Sequence, residues 1–178
     1  MNNIYSLALI KSEKVPELIL TLADLMRHII YNSREKYIQL SKEIEFVNNF
    51  VAMQKIRIAK PEQITYQIRG TVPDARIAPL IFEPFIDNAF KHGLPGNADK
   101  DHIAINFNFE DSEWLDFRVE NYFEIHSKPH EKNGGIGLSN VKKRLMLLYK
   151  DDEYQLTMNN QNNIHIVHLR LKLKYNGN

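Results

Sequence analysis

Cysteine is absent, so the chain has neither disulfides nor thiolate metal ligands, a composition suited to a reducing compartment. An excess of either charge is lacking too: 23 Lys and Arg stand against 22 Asp and Glu, a formal net charge of +1. That balance argues against a broad basic surface, and nucleic-acid binding is not expected. Apolar runs are short, and none approaches the roughly 20 residues a bilayer-spanning helix needs. Met1-Asn2-Asn3 offers no basic leader, so no secretory signal is expected. No internal repeat or low-complexity tract interrupts the sequence. The 178 residues, 43% of them hydrophobic, suffice for one or two small units with real cores.

The first third reads as helix. Ile4, Leu7 and Ala8 suggest the tail of one helix, and Val15, Leu18, Leu22, Leu25 and Ile29 recur at threes and fours like the seam of another. Pro16 suits the first turn of that second helix, where a missing N–H costs little. Ser41 is a candidate N-cap for a third helix, with Ile44, Val47 and Val51 on one side and Phe46, Phe50 and Met53 adjoining. Lys60-Pro61-Glu62 closes it. From there the pattern turns mixed. Residues 64–69, 102–109, 114–121, 154–158 and 164–171 read as strands, the third preceded by a turn at Asp111-Ser112 and the last pair joined by an Asn-rich turn. Hairpins with helices on one sheet face make the expected class α+β.

Two stretches carry the chemistry. In Glu83 through Gly93, Ile81, Phe82, Phe85, Ile86, Ala89 and Phe90 line one helical face, while Pro84, Asp87, Asn88 and Lys91 fall on the other. That polar face reads either as a solvated surface or as a phosphate site. In the second reading the Asn88 amide oxygen is a hard neutral ligand for Mg²⁺, and Lys91, one turn on, reaches an anionic oxygen. The other stretch is Asn133-Gly134-Gly135-Ile136-Gly137-Leu138-Ser139-Asn140, a glycine turn ahead of a helical pattern over residues 141–149. Glycines there let a ligand approach the backbone, and the free N–H groups of the following helix form an anion site. Together the two stretches suggest an ATP site.

Asp87-Asn88-Ala89-Phe90-Lys91-His92-Gly93 resembles the N-box of the GHKL (Bergerat-type) ATPase fold shared by gyrase, histidine kinases and MutL, and Gly135-Ile136-Gly137-Leu138 resembles its second glycine box. More narrowly, residues 79–93 and 134–145, with Leu40-Ser41-Lys42-Glu43-Ile44-Glu45-Phe46 and Gln54-Lys55-Ile56-Arg57, resemble LytS/YehU-type sensor histidine kinases. The resemblance implies a two-layer α/β sandwich on a mixed, largely antiparallel sheet, preceded by a helical hairpin. It divides the chain into a helical dimerisation region over 1–60 and an ATP-binding catalytic domain over 61–175. It implies Mg–ATP as cofactor, with Asn88 holding the metal, Lys91 neutralising charge, and Asn121, Gly135, Gly137 and Leu138 at the nucleotide. Residues 122–133 fall where the family has its ATP lid, or form a plain surface excursion.

Asn121 stands where the family's first glycine box places an adenine-binding Asp, and Tyr122-Phe123 follow in place of glycine; Asn133 replaces the first glycine of the second box. An Asn carbonyl still accepts a hydrogen bond, without the strengthening charge. In the family the phosphoacceptor His lies in a Pro-His-Phe-x-Phe-Asn run just before a Leu-Asn segment, which Met1 through Leu7 resembles. The acceptor is thus expected upstream of Met1, and His28 and His92 match no acceptor context. His126 and His130 lack the helical periodicity and partners of a metal site. The expected function is a two-component sensor histidine kinase, homodimeric, serving a response regulator, and forming the cytoplasmic part of an inner-membrane sensor through segments outside this sequence. As a fragment it is expected not to phosphorylate itself. The alternative is a nucleotide-binding or dimer-scaffold module that no longer catalyses.

Overall fold

The structure, a computed structural model, describes residues 9, 12–56, 58, 60–93, 102–123 and 136–175. The first described helix, α1 (Val15–Asn32), has Pro16 in its first turn and buries Leu18 and Leu25. The rest of the expected seam is less enclosed: Leu22 is half-buried and Ile29 is exposed, as are Ile19, Leu20, Met26 and Ile30. One side of α1 packs on this chain and the other carries apolar groups in solvent. The helix expected around Ile4 to Ala8 lies outside the described residues.

Strand β1 (Ile38–Gln39) runs directly into α2 (Leu40–Ile56), and Ser41 is therefore inside the helix and caps nothing. A two-residue antiparallel ribbon with β3 (Arg76–Ile77), and the Leu40 N–H donated to Ala75 O at 2.8 Å, do the capping instead. Then come β2 (Ile64–Arg69), α3 (Glu83–His92), β4 (Ile103–Asn108), β5 (Trp114–Tyr122), α4 (Ile136–Leu148), β6 (Tyr154–Gln161) and β7 (Ile164–Lys172). The main sheet has the order β2-β4-β5-β7-β6, parallel only between β2 and β4. The expected mixed, largely antiparallel α+β sandwich is what forms. The β6–β7 turn uses Asn162 and Asn163, both at positive φ (50° and 63°), the pair of left-handed residues that a twisted two-residue hairpin demands.

Strict alternation sends one set of side chains to the helices. Ile103, Ile105 and Phe107 on β4, Leu115, Phe117 and Val119 on β5, and Val167, Leu169 and Leu171 on β7 are all buried. Phe82, just ahead of α3, lies 4.9 Å from both Phe107 and Phe117, ring centre to ring centre, and Phe85 follows at 6.2 Å from Phe117. Each such ring contributes about 1.5–3 kcal/mol by leaving water. The opposite sheet face is charged: Asp116 meets His168 at 2.9 Å, Arg118 meets Glu120 at 2.6 Å, and Arg170 meets Asp111 at 3.1 Å. One continuous core joins α2 (Ile44, Phe46, Val47, Val51) to the sheet.

Candidate functional site

Helix α3 rests on the sheet through Phe85, Ile86 and Ala89 and leaves Asp87, Asn88 and Lys91 on its other side, half-buried to exposed. No hydrogen bond among the described residues engages the Asn88 amide. The Lys91 ammonium pairs with the Asp87 carboxylate one turn back, and the lysine side chain is 66% exposed, free to leave for a stronger anion. That pairing holds Lys91 above its ordinary pKa. Glu83, at the start of the helix, is pushed up first by burial and then by Asp87. Asp87 and Glu83 give this face an acidic character.

Helix α4 begins at Ile136, earlier than the pattern over 141–149 suggests, so Gly137 and Leu138 belong to its first turn and not to a preceding loop. A Cβ on Gly137 would lie 3.7 Å from Pro84 Cβ. The amino end of α4 thus sits against the first turn of α3, one turn before Asn88. Leu138 is 7% exposed and packs in the core. Gly135, and residues 124–133 of the expected lid, lie outside the described residues.

At the far end of α3, Gly93 lies directly over β5. A Cβ there would meet Asn121 Cβ at 2.7 Å and Ala89 O at 2.6 Å, contacts only glycine avoids. Asn121 faces the helices, 2% exposed, and its Nδ2 donates to Tyr122 O at 2.9 Å; Glu120 faces the other way. His165 on β7 pairs in register with Asn121. Burial first and the nearby His92 second hold His165 below the usual histidine pKa.

One residue behind the site escaped sequence reasoning. Glu43 on α2 is 0% exposed, and its carboxylate accepts the Leu80 N–H at 3.0 Å and the Ile81 N–H at 3.1 Å. Those two residues lead into α3, and Leu80 holds φ at 55°, a costly left-handed backbone for a leucine. His28 of α1, stacked on Phe46 at 4.5 Å, brings Nε2 to 3.3 Å from Glu43 Oε2 without hydrogen-bond alignment. A signal existed: Leu40, Glu43, Ile44, Val47 and Val51 share the buried stripe, an acid where an apolar residue is due.

The fold is that of histidine kinases. Over 96% of its length the chain matches the Acinetobacter baumannii histidine kinase AdeS (84% of that chain, TM-score 0.52, 15% identity). Over 90% it matches the histidine kinase domain of a blue-light activated histidine kinase of Erythrobacter litoralis (75% of that chain, TM-score 0.53, 15% identity). The histidine kinase family model matches residues 1–61. Among curated proteins it is 29% identical over 160 residues to the sensor protein LytS of Staphylococcus haemolyticus (84% of this chain, 27% of that protein). It is 26% identical over 152 residues to the sensor histidine kinase BtsS of Escherichia coli (85% of this chain, 27% of that protein). By sequence the chain is thus similar to LytS-type sensor histidine kinases, in line with the motif resemblance. It spans about a quarter of the length of those relatives.

Proposed function

We propose that the chain binds Mg–ATP on the polar face of α3 and is the catalytic part of a two-component sensor histidine kinase. The observation that carries this reading is the placement of Gly137, at the amino end of α4, against Pro84, one turn before Asn88. Backbone N–H groups of a first helical turn, an unengaged amide oxygen and an exposed ammonium then border one surface, the donor set a magnesium–polyphosphate needs. Asn88 holds the metal, Lys91 exchanges Asp87 for a phosphate oxygen, and Gly135, Gly137 and Leu138 bring backbone to the phosphates. Asn121 accepts from the adenine amino group. Mg²⁺, when bound, supplies charge neutralisation at the phosphates. The residues' contribution to phosphoryl transfer is positioning and charge stabilisation.

The phosphate receiver is a histidine outside this sequence, and a response-regulator aspartate receives it next. His28 is committed to the Glu43–Phe46 contact and His168 to Asp116. Dimerisation through the helical region 1–60, and attachment to an inner membrane on the cytoplasmic side, complete the proposal. Among the described residues no helix is long and apolar enough to cross a membrane. The alternative, a nucleotide-sensing scaffold, is favoured by one observation: Asn121 is neutral and 2% exposed where the fold's relatives would carry an acid.

One experiment separates these readings. Wild type and Asn88→Ala are titrated with ATP with and without Mg²⁺, then incubated with γ-labelled nucleotide. Asn88→Ala is expected to weaken Mg–ATP by tenfold or more and metal-free ATP far less, with no label on this chain. Equal losses in both conditions remove Asn88 from the metal. Label on His28 or His92 overturns the placement of the acceptor. Wild type that binds no nucleotide overturns both readings.

A further inference from the structure

The chain has a second polar group at the buried end of the α3 face, and the mechanism above leaves it unused. His165 is the inward-facing residue of β7 directly opposite Asn121 on β5. Residues so paired have Cβ atoms roughly 5 Å apart. Its Nδ1 lies 2.6 Å from Asn160 Oδ1 on β6. Its Nε2 is buried and has no hydrogen-bond partner among the described residues. A buried, unpaired ring nitrogen is costly, and one beside a candidate ligand site calls for an occupant.

The other ring nitrogen's hydrogen bond fixes what Nε2 offers. With Nδ1 donating to Asn160 Oδ1, the ring proton is on Nδ1 and Nε2 presents a lone pair. Burial and His92 favour the neutral ring, which keeps the lone pair available. Asn121 adds another acceptor: one Nδ2 hydrogen goes to Tyr122 O, and the amide keeps Oδ1. Two neighbouring strands thus place two acceptors side by side, beneath Gly93 at the end of the helix that carries Asn88 and Lys91.

We propose that His165 is a specificity-determining residue that, with Asn121, accepts the two hydrogens of the adenine exocyclic amino group and excludes guanine. Adenine carries a donor amino group at purine position 6, whereas guanine carries a carbonyl oxygen, which would face two lone pairs. Sites built to hydrogen-bond one substituent reject the analogue lacking it, because their buried groups are then left unpaired. This proposal rests on the ATP reading and refines it.

The test is calorimetric titration of the chain with the magnesium complexes of ATP, GTP and purine riboside triphosphate, which lacks the amino group. Wild type is expected to prefer ATP to both others by tenfold or more. His165→Phe keeps an aromatic ring on β7 and removes the acceptor. It should lose about tenfold in ATP affinity and leave purine riboside triphosphate unchanged, so that the preference shrinks. His165→Gln, which restores an acceptor oxygen, should regain it. Circular-dichroism melting establishes that each variant is folded. Should His165→Phe fail to fold, wild type alone decides: equal affinity for ATP and purine riboside triphosphate overturns the proposal. A folded His165→Phe with the wild-type preference overturns it too, leaving the ATP reading intact. Wild type that binds none of the three overturns both.

Discussion

Glu43 and Asp87 are two carboxylates on the same approach to function, held in opposite ways. Glu43 is 0% exposed, anchored by the Leu80 and Ile81 N–H groups beneath the start of α3. Asp87 rides on α3 itself, 28% exposed, and holds only the mobile end of Lys91. The first has lost water altogether and is repaid by two charge-assisted bonds from backbone that would otherwise be orphaned. The second keeps its hydration and gains little from its partner. The contrast teaches where this fold keeps its rigidity. The backbone leading to the functional helix is fixed from behind, by a residue no ligand meets, while the face that meets the ligand is left with weak, exchangeable contacts.

The largest expected effect breaks the buried side of that contrast. Glu43→Gln replaces one acceptor with an amide donor pointing at a backbone N–H, and should cost about 3 kcal/mol in urea unfolding. A loss under about 1 kcal/mol would mean that water reaches the Leu80–Ile81 backbone and that Glu43 anchors nothing. Next comes the exposed side. Lys91→Met should change stability by less than about 1 kcal/mol, because surface pairs contribute little, yet weaken Mg–ATP by about tenfold in the titration described above. Unchanged binding would make the pair a surface contact only.

The smallest effect concerns Glu83, between the two. Its folded-state pKa is raised by burial and by Asp87. A raised acid binds its proton more tightly in the folded state. The destabilisation is therefore absent below the unfolded-state pKa of about 4.3 and is fully present above the folded-state value. Glu83→Gln should accordingly raise Tm slightly at neutral pH, with the gain vanishing as the pH falls below about 4. A gain of equal size at both ends of the pH range would point to packing, not ionisation.

Much of this was legible in the sequence. The strands of the sheet announced themselves because one face is dry and the other wet, so Ile103-Ala104-Ile105-Asn106-Phe107 could only alternate. The N-box face was legible for the same reason at helical period. What was not legible came from elements without a period. The β1–β3 ribbon is two residues long on each side, too short to carry a pattern, and it displaced Ser41 from its expected cap. Helix α4 starts ahead of its apolar pattern, and its first turn contains Gly137, a weak helix former that carries no periodic signal. Glu43 and His165 were passed over because a polar residue in an apolar stripe reads as an error of phase until the backbone donors or the missing partner beside it are seen. The same parity that makes His165 face inward with Val167, Leu169 and Leu171 was present in the sequence.

The single tryptophan has a practical consequence for anyone working at the bench. Trp114 stands at the start of β5 on the charged face of the sheet, with the Arg170 guanidinium 4.9 Å from its ring. The core separates it from α3, so its fluorescence should register the loss of the sheet and stay blind to whatever occupies the helix face. Intrinsic emission therefore gives a clean unfolding signal in the presence of nucleotide, and the same property disqualifies it as a reporter of binding.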